Sequence, residues 1–174
     1  TALGMLGVER HAFLGVEPAR AEGLPPTIYE DSGMSWGADG RATAGAEAGA
    51  DALTSVPAME PLNDLLAAGY LAGAQGIVSY DDGGGYGHPD HVFAHRLARA
   101  VAQALELPFW VIGGDHTTGD STAPGADTAT ADDEVEVHDI EPWLDRKIAA
   151  LRSYATQLTV DGDDIVHVGG QREP

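Results

Sequence analysis

The 174-residue chain carries 28 acidic against 9 basic residues, a formal net charge of −19, with 43% hydrophobic content and no cysteine. The charge argues against a nucleic-acid partner, because phosphate binding needs a basic patch. The missing cysteines exclude disulfides, thiolate zinc sites and cysteine nucleophiles. The length suits one domain with a real core, and no run is apolar enough to cross a bilayer. A small-molecule partner in the cytoplasm is therefore expected, with no role for membrane or nucleic acid.

In chain order, residues 1–9 read as a helix end stopped at Gly7, followed by a short strand at His11-Ala-Phe-Leu14. A turn-rich stretch from Gly15 to Thr27 leads to a loop at Tyr29–Met34. Residues 35–57 are rich in Gly, Ala, Asp and Thr without a sustained period, which predicts a long surface loop. A helix is expected over Met59–Ala72, with Leu62, Leu65, Leu66 and Tyr70 toward a sheet. Gly76-Ile-Val-Ser-Tyr80 is a short apolar, β-branched run and reads as a buried strand. The glycines at 83, 84, 85 and 87 then form a loop open to backbone geometries closed to other residues. Pro89 suits the first turn of a helix, whose apolar stripe is Phe93, Leu97, Ala100, Val101 and Ala104.

Pro108-Phe-Trp-Val-Ile112 predicts another buried strand, and 113–133 is polar enough to be mobile. Glu134-Val-Glu-Val-His138 alternates like a strand with one solvated face. Glu141-Pro142 opens a helix with Leu144, Ile148, Leu151 and Ala155 on its buried side, and Ile165-Val-His-Val168 reads as a last strand. Strands alternating with helices predict an α/β protein with a mostly parallel sheet. The expected organisation is a core over 1–118, a mobile linker over 119–133, and a strand–helix–strand extension of the same domain over 134–174.

Polar groups crowd the junction between the glycine loop and the helix: Tyr86, His88, Asp90 and His91. Open α/β sheets place their chemistry beyond the carboxyl ends of the strands. His88 and His91 are neighbours on one helical turn, and a neutral imidazole is the commonest protein metal ligand. A His91–His95 pair is a second geometric possibility, and helix capping without a metal is the plain alternative. Asp81 and Asp82 fit turn roles better than cation binding. Asp115-His116 follows a strand end and could line the site, although solvent exposure is the simpler reading. His11, His138 and His167 fall in expected strands and are assigned structural roles.

Ser79-Tyr-Asp-Asp-Gly-Gly-Gly-Tyr-Gly-His-Pro-Asp-His91 resembles the second zinc motif of the LmbE/PIG-L family of N-acetylglucosaminyl deacetylases, and within it the mycothiol-pathway branch. Tyr29-Glu-Asp-Ser-Gly-Met34 is similar to that branch's substrate-side loop, and Leu144–Val160 resembles its late helix ending in Ala-Thr-Gln. The resemblance implies a Rossmann-like three-layer core and a zinc-dependent hydrolysis of an N-acetyl group, with the inositol-linked mycothiol precursor as the expected substrate. It makes His91 the zinc ligand of this motif and His88 the oxyanion stabiliser that protonates the leaving amine. Asp90 would hold the second nitrogen of the His88 ring, and Tyr86 would offer its hydroxyl to the tetrahedral intermediate. Asp31 would contact sugar hydroxyls, with Met34 packing beside the sugar; an Asx-turn is the competing role for Asp31.

The family's opening Ala-His-Pro-Asp-Asp-Glu motif, which supplies two further ligands and the general base, does not occur in these 174 residues. The expectation is therefore a piece or a truncated relative of a longer enzyme, inactive in isolation. The mycothiol S-conjugate amidase activity of the same family, and a non-catalytic sugar-binding remnant, stand as alternatives.

Overall fold

The computed structural model describes residues 1–36, 42–85, 87–112, 135–162, 164–167 and 172–173. Its elements in order are α1 (Ala2–Leu6), β1 (Ser35–Trp36), β2 (Ala42–Thr43), α2 (Met59–Ala72), β3 (Ile77–Tyr80), α3 (Pro89–Leu105) and β4 (Phe109–Ile112). A 3-10 turn (Glu141–Trp143), α4 (Leu144–Leu151), β5 (Leu158–Asp161), β6 (Asp164–His167) and β7 (Arg172–Glu173) complete the chain. The fold is mixed α/β. Two compact units form, Ala12–Ala131 and Thr1–His11 with Asp132–Pro174.

The first unit is built on a strand–helix–strand motif. β3 and β4 pair in parallel, Ile77 opposite Phe109 and Tyr80 opposite Ile112, and α3 connects them. Leu97, Ala98, Val101 and Ala102 are the buried residues of α3, an apolar strip at the spacing a helix requires. Gly69 of α2 meets this face, where an added Cβ would lie 3.3 Å from Leu105 and 3.8 Å from Val101. His95 packs edge-on against Phe109 at 5.5 Å and donates its Nδ1 hydrogen to the Tyr80 carbonyl at 2.8 Å. That bond ties α3 to the end of β3 and gives His95 a structural role.

A charged network holds the segment that precedes α2. The fully buried Asp64 accepts from Arg20 Nη1 at 2.8 Å, from the Tyr29 hydroxyl at 2.7 Å and from the Ala21 N–H at 2.7 Å. Arg20 also donates to the Pro25 carbonyl and the Tyr29 oxygen. Burial by itself would raise the Asp64 pKa, but the donors of Ala21, Tyr29 and Arg20 outweigh it and leave the carboxyl below its ordinary value. Burial and the neighbouring carboxylate push the Tyr29 hydroxyl up to about 12.

In the second unit, α1 is capped by Thr1 and stopped by Gly7 in the left-handed conformation, as its sequence predicts. β5, β6 and β7 form an antiparallel meander, Leu158 facing His167 and Asp161 facing Asp164. Arg172 bridges Asp161 and Asp164 at 2.9 and 2.8 Å.

Several expectations are corrected. His11–Leu14 forms no strand; Leu14 already enters a turn in which the Gly15 N–H donates to Ala19 and its carbonyl accepts from Thr27. Residues 135–138 have no ladder partner and both valines are exposed, because alternation specifies faces but supplies no neighbour. The later part of the expected 35–57 loop is anchored, with Ala52 fully buried and bridged in parallel to Glu30; residues 37–41 lie outside the described residues. Tyr70 and Ala104 face solvent, so the packed faces of α2 and α3 are narrower than their apolar patterns. α4 ends at Leu151, and Ala155 lies exposed in the turn that delivers the chain to β5. Among the described residues β3–β4 is the one parallel strand pair. No helix among them is long and apolar enough to cross a membrane. The expected linker 119–133 lies outside the described residues.

Asp64→Asn is expected to lower the melting temperature by several degrees, since it leaves the buried Arg20 with only its longer contact to Glu60 at 3.6 Å as an ion pair. A carboxylate whose folded pKa is depressed contributes stability above its ordinary value of 3.8 and loses it as pH falls through the folded value. Melting curves of both proteins should therefore differ fully above about pH 4 and converge below it.

Candidate active site

The site forms where β3 ends and α3 begins. His88 takes the N-cap position with extended backbone, and Pro89 occupies the first turn, where a missing N–H is harmless. The Asp90 N–H donates to His88 Nδ1 at 3.2 Å. A backbone N–H can only donate, so Nδ1 holds a lone pair and the neutral ring carries its hydrogen on Nε2. His88 is thereby a donor at its outer nitrogen.

His91 is arranged the opposite way. Its Nδ1 lies 3.3 Å from the Gly84 carbonyl, which can only accept. The hydrogen therefore sits on Nδ1 and the lone pair on Nε2, the arrangement a metal-ligating imidazole needs. The two rings are 4.9 Å apart, and His91 also lies flat against Tyr80 at 3.9 Å and 3°. Burial holds the His91 pKa below its ordinary value, outweighing the Gly84 carbonyl, which favours the charged ring. The ring stays neutral at neutral pH.

Asp31, His88 and Asp90 bring ligand atoms within 4.8 Å of one another. Asp90 Oδ2 accepts from the Ser32 N–H at 3.0 Å, while its Oδ1 is buried and has no hydrogen-bond partner among the described residues. An ionised oxygen left in that state is costly without a cation or donor. With Nδ1 taken by the Asp90 N–H and the hydrogen on Nε2, His88 has no lone pair left for a metal in that group. The carboxylates of Asp31 and Asp90 and the lone pair of His91 are donor types that suit a divalent metal such as zinc.

Asp31 also accepts from the Gly33 N–H at 2.5 Å, so the Asx-turn and the place in the site coexist. Met34 is exposed on the same loop. Tyr86, Asp115 and His116 lie outside the described residues. Asp81 accepts from the Gly85 N–H at 2.8 Å, a turn role as expected.

Sequence reasoning missed Ser32, which is fully buried. Its hydroxyl accepts from the N–H and hydroxyl of Thr54 at 3.0 and 2.8 Å, while its N–H holds Asp90. This couples the Asp31 loop to α3. The only available signal was its place beside Asp31 in a turn-prone triplet. Beside the site lies an open cavity of about 380 Å³, bounded by Thr43, Thr54, Pro89, Val92, Phe93 and Arg96.

Comparisons with known proteins agree with the motif. No protein-family model matches the chain. The chain is 31% identical over 195 residues to a protein of Nocardioides sp. and to one of Kribbella flavida, in each case over 92% of its own length. With a protein of Kineococcus radiotolerans it shares 33% over 198 residues, 95% of its length. Each of these relatives bears the name 1D-myo-inositol 2-acetamido-2-deoxy-alpha-D-glucopyranoside deacetylase. The chain spans 62, 61 and 53% of their respective lengths.

Gly84 tests the local design. Its φ is +69°, and an added Cβ would fall 2.8 Å from both Val92 Cγ2 and the Val92 nitrogen. Gly84→Ala is expected to cost about 1–3 kcal/mol and to shift the His91 ring resonances. Gly85 has a similar φ of +66° with nothing within 4 Å, so Gly85→Ala should cost about 1 kcal/mol and leave His91 in place. Melting curves with imidazole NMR signals distinguish the two variants.

Proposed function

We propose that this chain is the larger part of a zinc-dependent amidohydrolase that removes acetate from an N-acetylglucosaminyl conjugate, with the inositol-linked mycothiol precursor as substrate. The observation that carries the proposal is the pair of adjacent imidazoles in opposite tautomers. One presents a lone pair and the other an N–H, and amide hydrolysis at a metal needs both. The names of the relatives support the substrate.

In this reading His91 Nε2 is a zinc ligand, and Asp90 Oδ1 is buried without a hydrogen-bond partner among the described residues. A bound zinc ion would supply Lewis-acid polarisation of the amide carbonyl and an acidified water. His88 Nε2–H donates to the carbonyl oxygen as it gains negative charge. The nitrogen takes up the proton released by the attacking water as the C–N bond breaks, so acetate and a free amine leave, while the neutral His88 ring keeps its single hydrogen for the oxyanion. Asp90 steadies His88 through its backbone N–H, where the motif had suggested the carboxylate. Asp31 binds sugar hydroxyls from the edge of the site, and Met34 lies beside them on the loop. Tyr86 is assigned to the tetrahedral intermediate on the motif alone.

The cavity along α3 suits the rest of the conjugate. Pro89, Val92, Phe93 and Arg96 follow the spacing of one helix face. Arg96 lies two turns, about 10 Å along the axis, beyond Pro89. The reading also includes a Rossmann-like three-layer core over 1–118, with 134–174 as its extension, and a cytoplasmic location. The parallel β3–α3–β4 unit supports the core assignment.

The opening motif that would supply the general base and remaining ligands does not occur in these 174 residues, so the test uses the chain preceded by the opening segment of its Kribbella flavida relative. His91→Ala should remove most of the zinc. His88→Ala should keep the metal and lower kcat by about 10²–10³. Metal analysis with amine release from N-acetylglucosaminyl-inositol checks both, and equal zinc loss in the two variants would refute the division of roles. Arg96→Ala should raise KM for the inositol conjugate and leave that for free N-acetylglucosamine unchanged. An equal effect on both substrates would remove the cavity from the substrate path.

A further inference from the structure

We infer that Tyr80 is a positioning residue for His91: its aromatic face fixes the plane of the imidazole and so the direction in which Nε2 presents its lone pair. The inference rests on the reading of His91 as a metal ligand and adds a residue to which no role has been given.

The lone pair of an imidazole nitrogen lies in the ring plane, so a ligand histidine must have both its tautomer and its plane held. The Gly84 carbonyl settles the tautomer of His91. At 3.3 Å that contact is long for an N–H···O bond, and it selects the tautomer more than the ring plane. Tyr80 constrains the plane. Its ring lies parallel to the imidazole at 3.9 Å and 3°, so a change of plane would break the stack.

Tyr80 is itself held. It ends β3, its backbone pairs in register with Ile112, and its carbonyl accepts the His95 Nδ1 hydrogen at 2.8 Å. One residue thus receives His95 through its backbone and His91 through its ring, a helical turn apart on α3. The stack uses the face of the ring, so the hydroxyl is dispensable. Tyr80 is 42% exposed, and its replacement leaves the buried face of α3 intact.

The test uses the 174-residue chain with labelled histidine, at neutral pH. Zinc is titrated into wild type, Tyr80→Phe and Tyr80→Leu while the His91 ring nitrogens are followed by NMR. Phe should keep the wild-type zinc affinity and the single Nδ1–H tautomer. Leu should weaken zinc binding about tenfold and give averaged tautomer signals, with the amide spectrum of the fold unchanged. Wild-type affinity and an unaveraged His91 ring in Tyr80→Leu would overturn the inference, as would a Phe variant that behaves like Leu. If zinc leaves His91 untouched in wild type, the metal reading fails. The tautomer comparison between Phe and Leu then still decides whether Tyr80 holds the ring.

Discussion

The ionised contact of Asp64 with Arg20, Tyr29 and the Ala21 N–H is the constraint on which the site-bearing unit depends. Among its largest fully buried side chains are Val101, Asp64, Pro61 and Ser32, and two of these four are polar. The segment before α2 has too few large apolar residues to seat itself by burial. Three donors converge on one carboxylate of α2 instead. A buried charge is tolerable only when its partners satisfy it, and the penalty for losing one makes the arrangement specific. Tyr29 lies two residues before Asp31, so the same contact sets where the Asp31–Ser32 turn meets α3.

At the head of α3 the main chain assigns the chemistry. Two histidines three residues apart are equivalent in sequence, yet one receives an N–H and the other meets a carbonyl. These contacts leave opposite functions at the outer nitrogens. The glycine loop makes this possible. Gly84 must adopt a positive φ while its carbonyl reaches His91 and its Cα lies close to Val92, and a side chain there would strike the helix. The glycines therefore serve imidazole geometry as much as chain reversal. Ser32 completes the arrangement by bonding Asp90, whose other carboxylate oxygen is buried without a hydrogen-bond partner among the described residues. Ordinary folding pairs such an atom.

Much of this was legible before any coordinates. α2, β3, α3 and β4 follow from periodicity, β-branching and the proline at the helix start, and Tyr86, His88, Asp90 and His91 stand out as a crowd of polar groups at a strand end. These features are local, because each depends on residues within a turn or two of one another. The failures were also systematic. The short apolar run at His11–Leu14 and the alternation near 135–138 look like strands, but a strand exists only with a partner at the right register. Tyr70 and Ala104 fit an apolar stripe yet face water, because the width of a packed face is set by the neighbour that covers it.

The amino-acid sequence by itself determined the α/β character of the chain and the residue types that meet at the head of α3. Hydrophobic period, glycine freedom and the fixed φ of proline act through the covalent chain alone. Only the tertiary structure decided which histidine donates and which offers a lone pair. It also decided that Asp64 is buried and paired with Arg20, 44 positions away, and that Ser32 rather than a side chain of α3 holds Asp90, 58 positions away. The last two depend on donors and acceptors delivered from distant segments, whereas the tautomers depend on how the chain folds back on backbone groups two and seven positions away. The free energy of a buried polar group depends on what meets it, which no local pattern encodes.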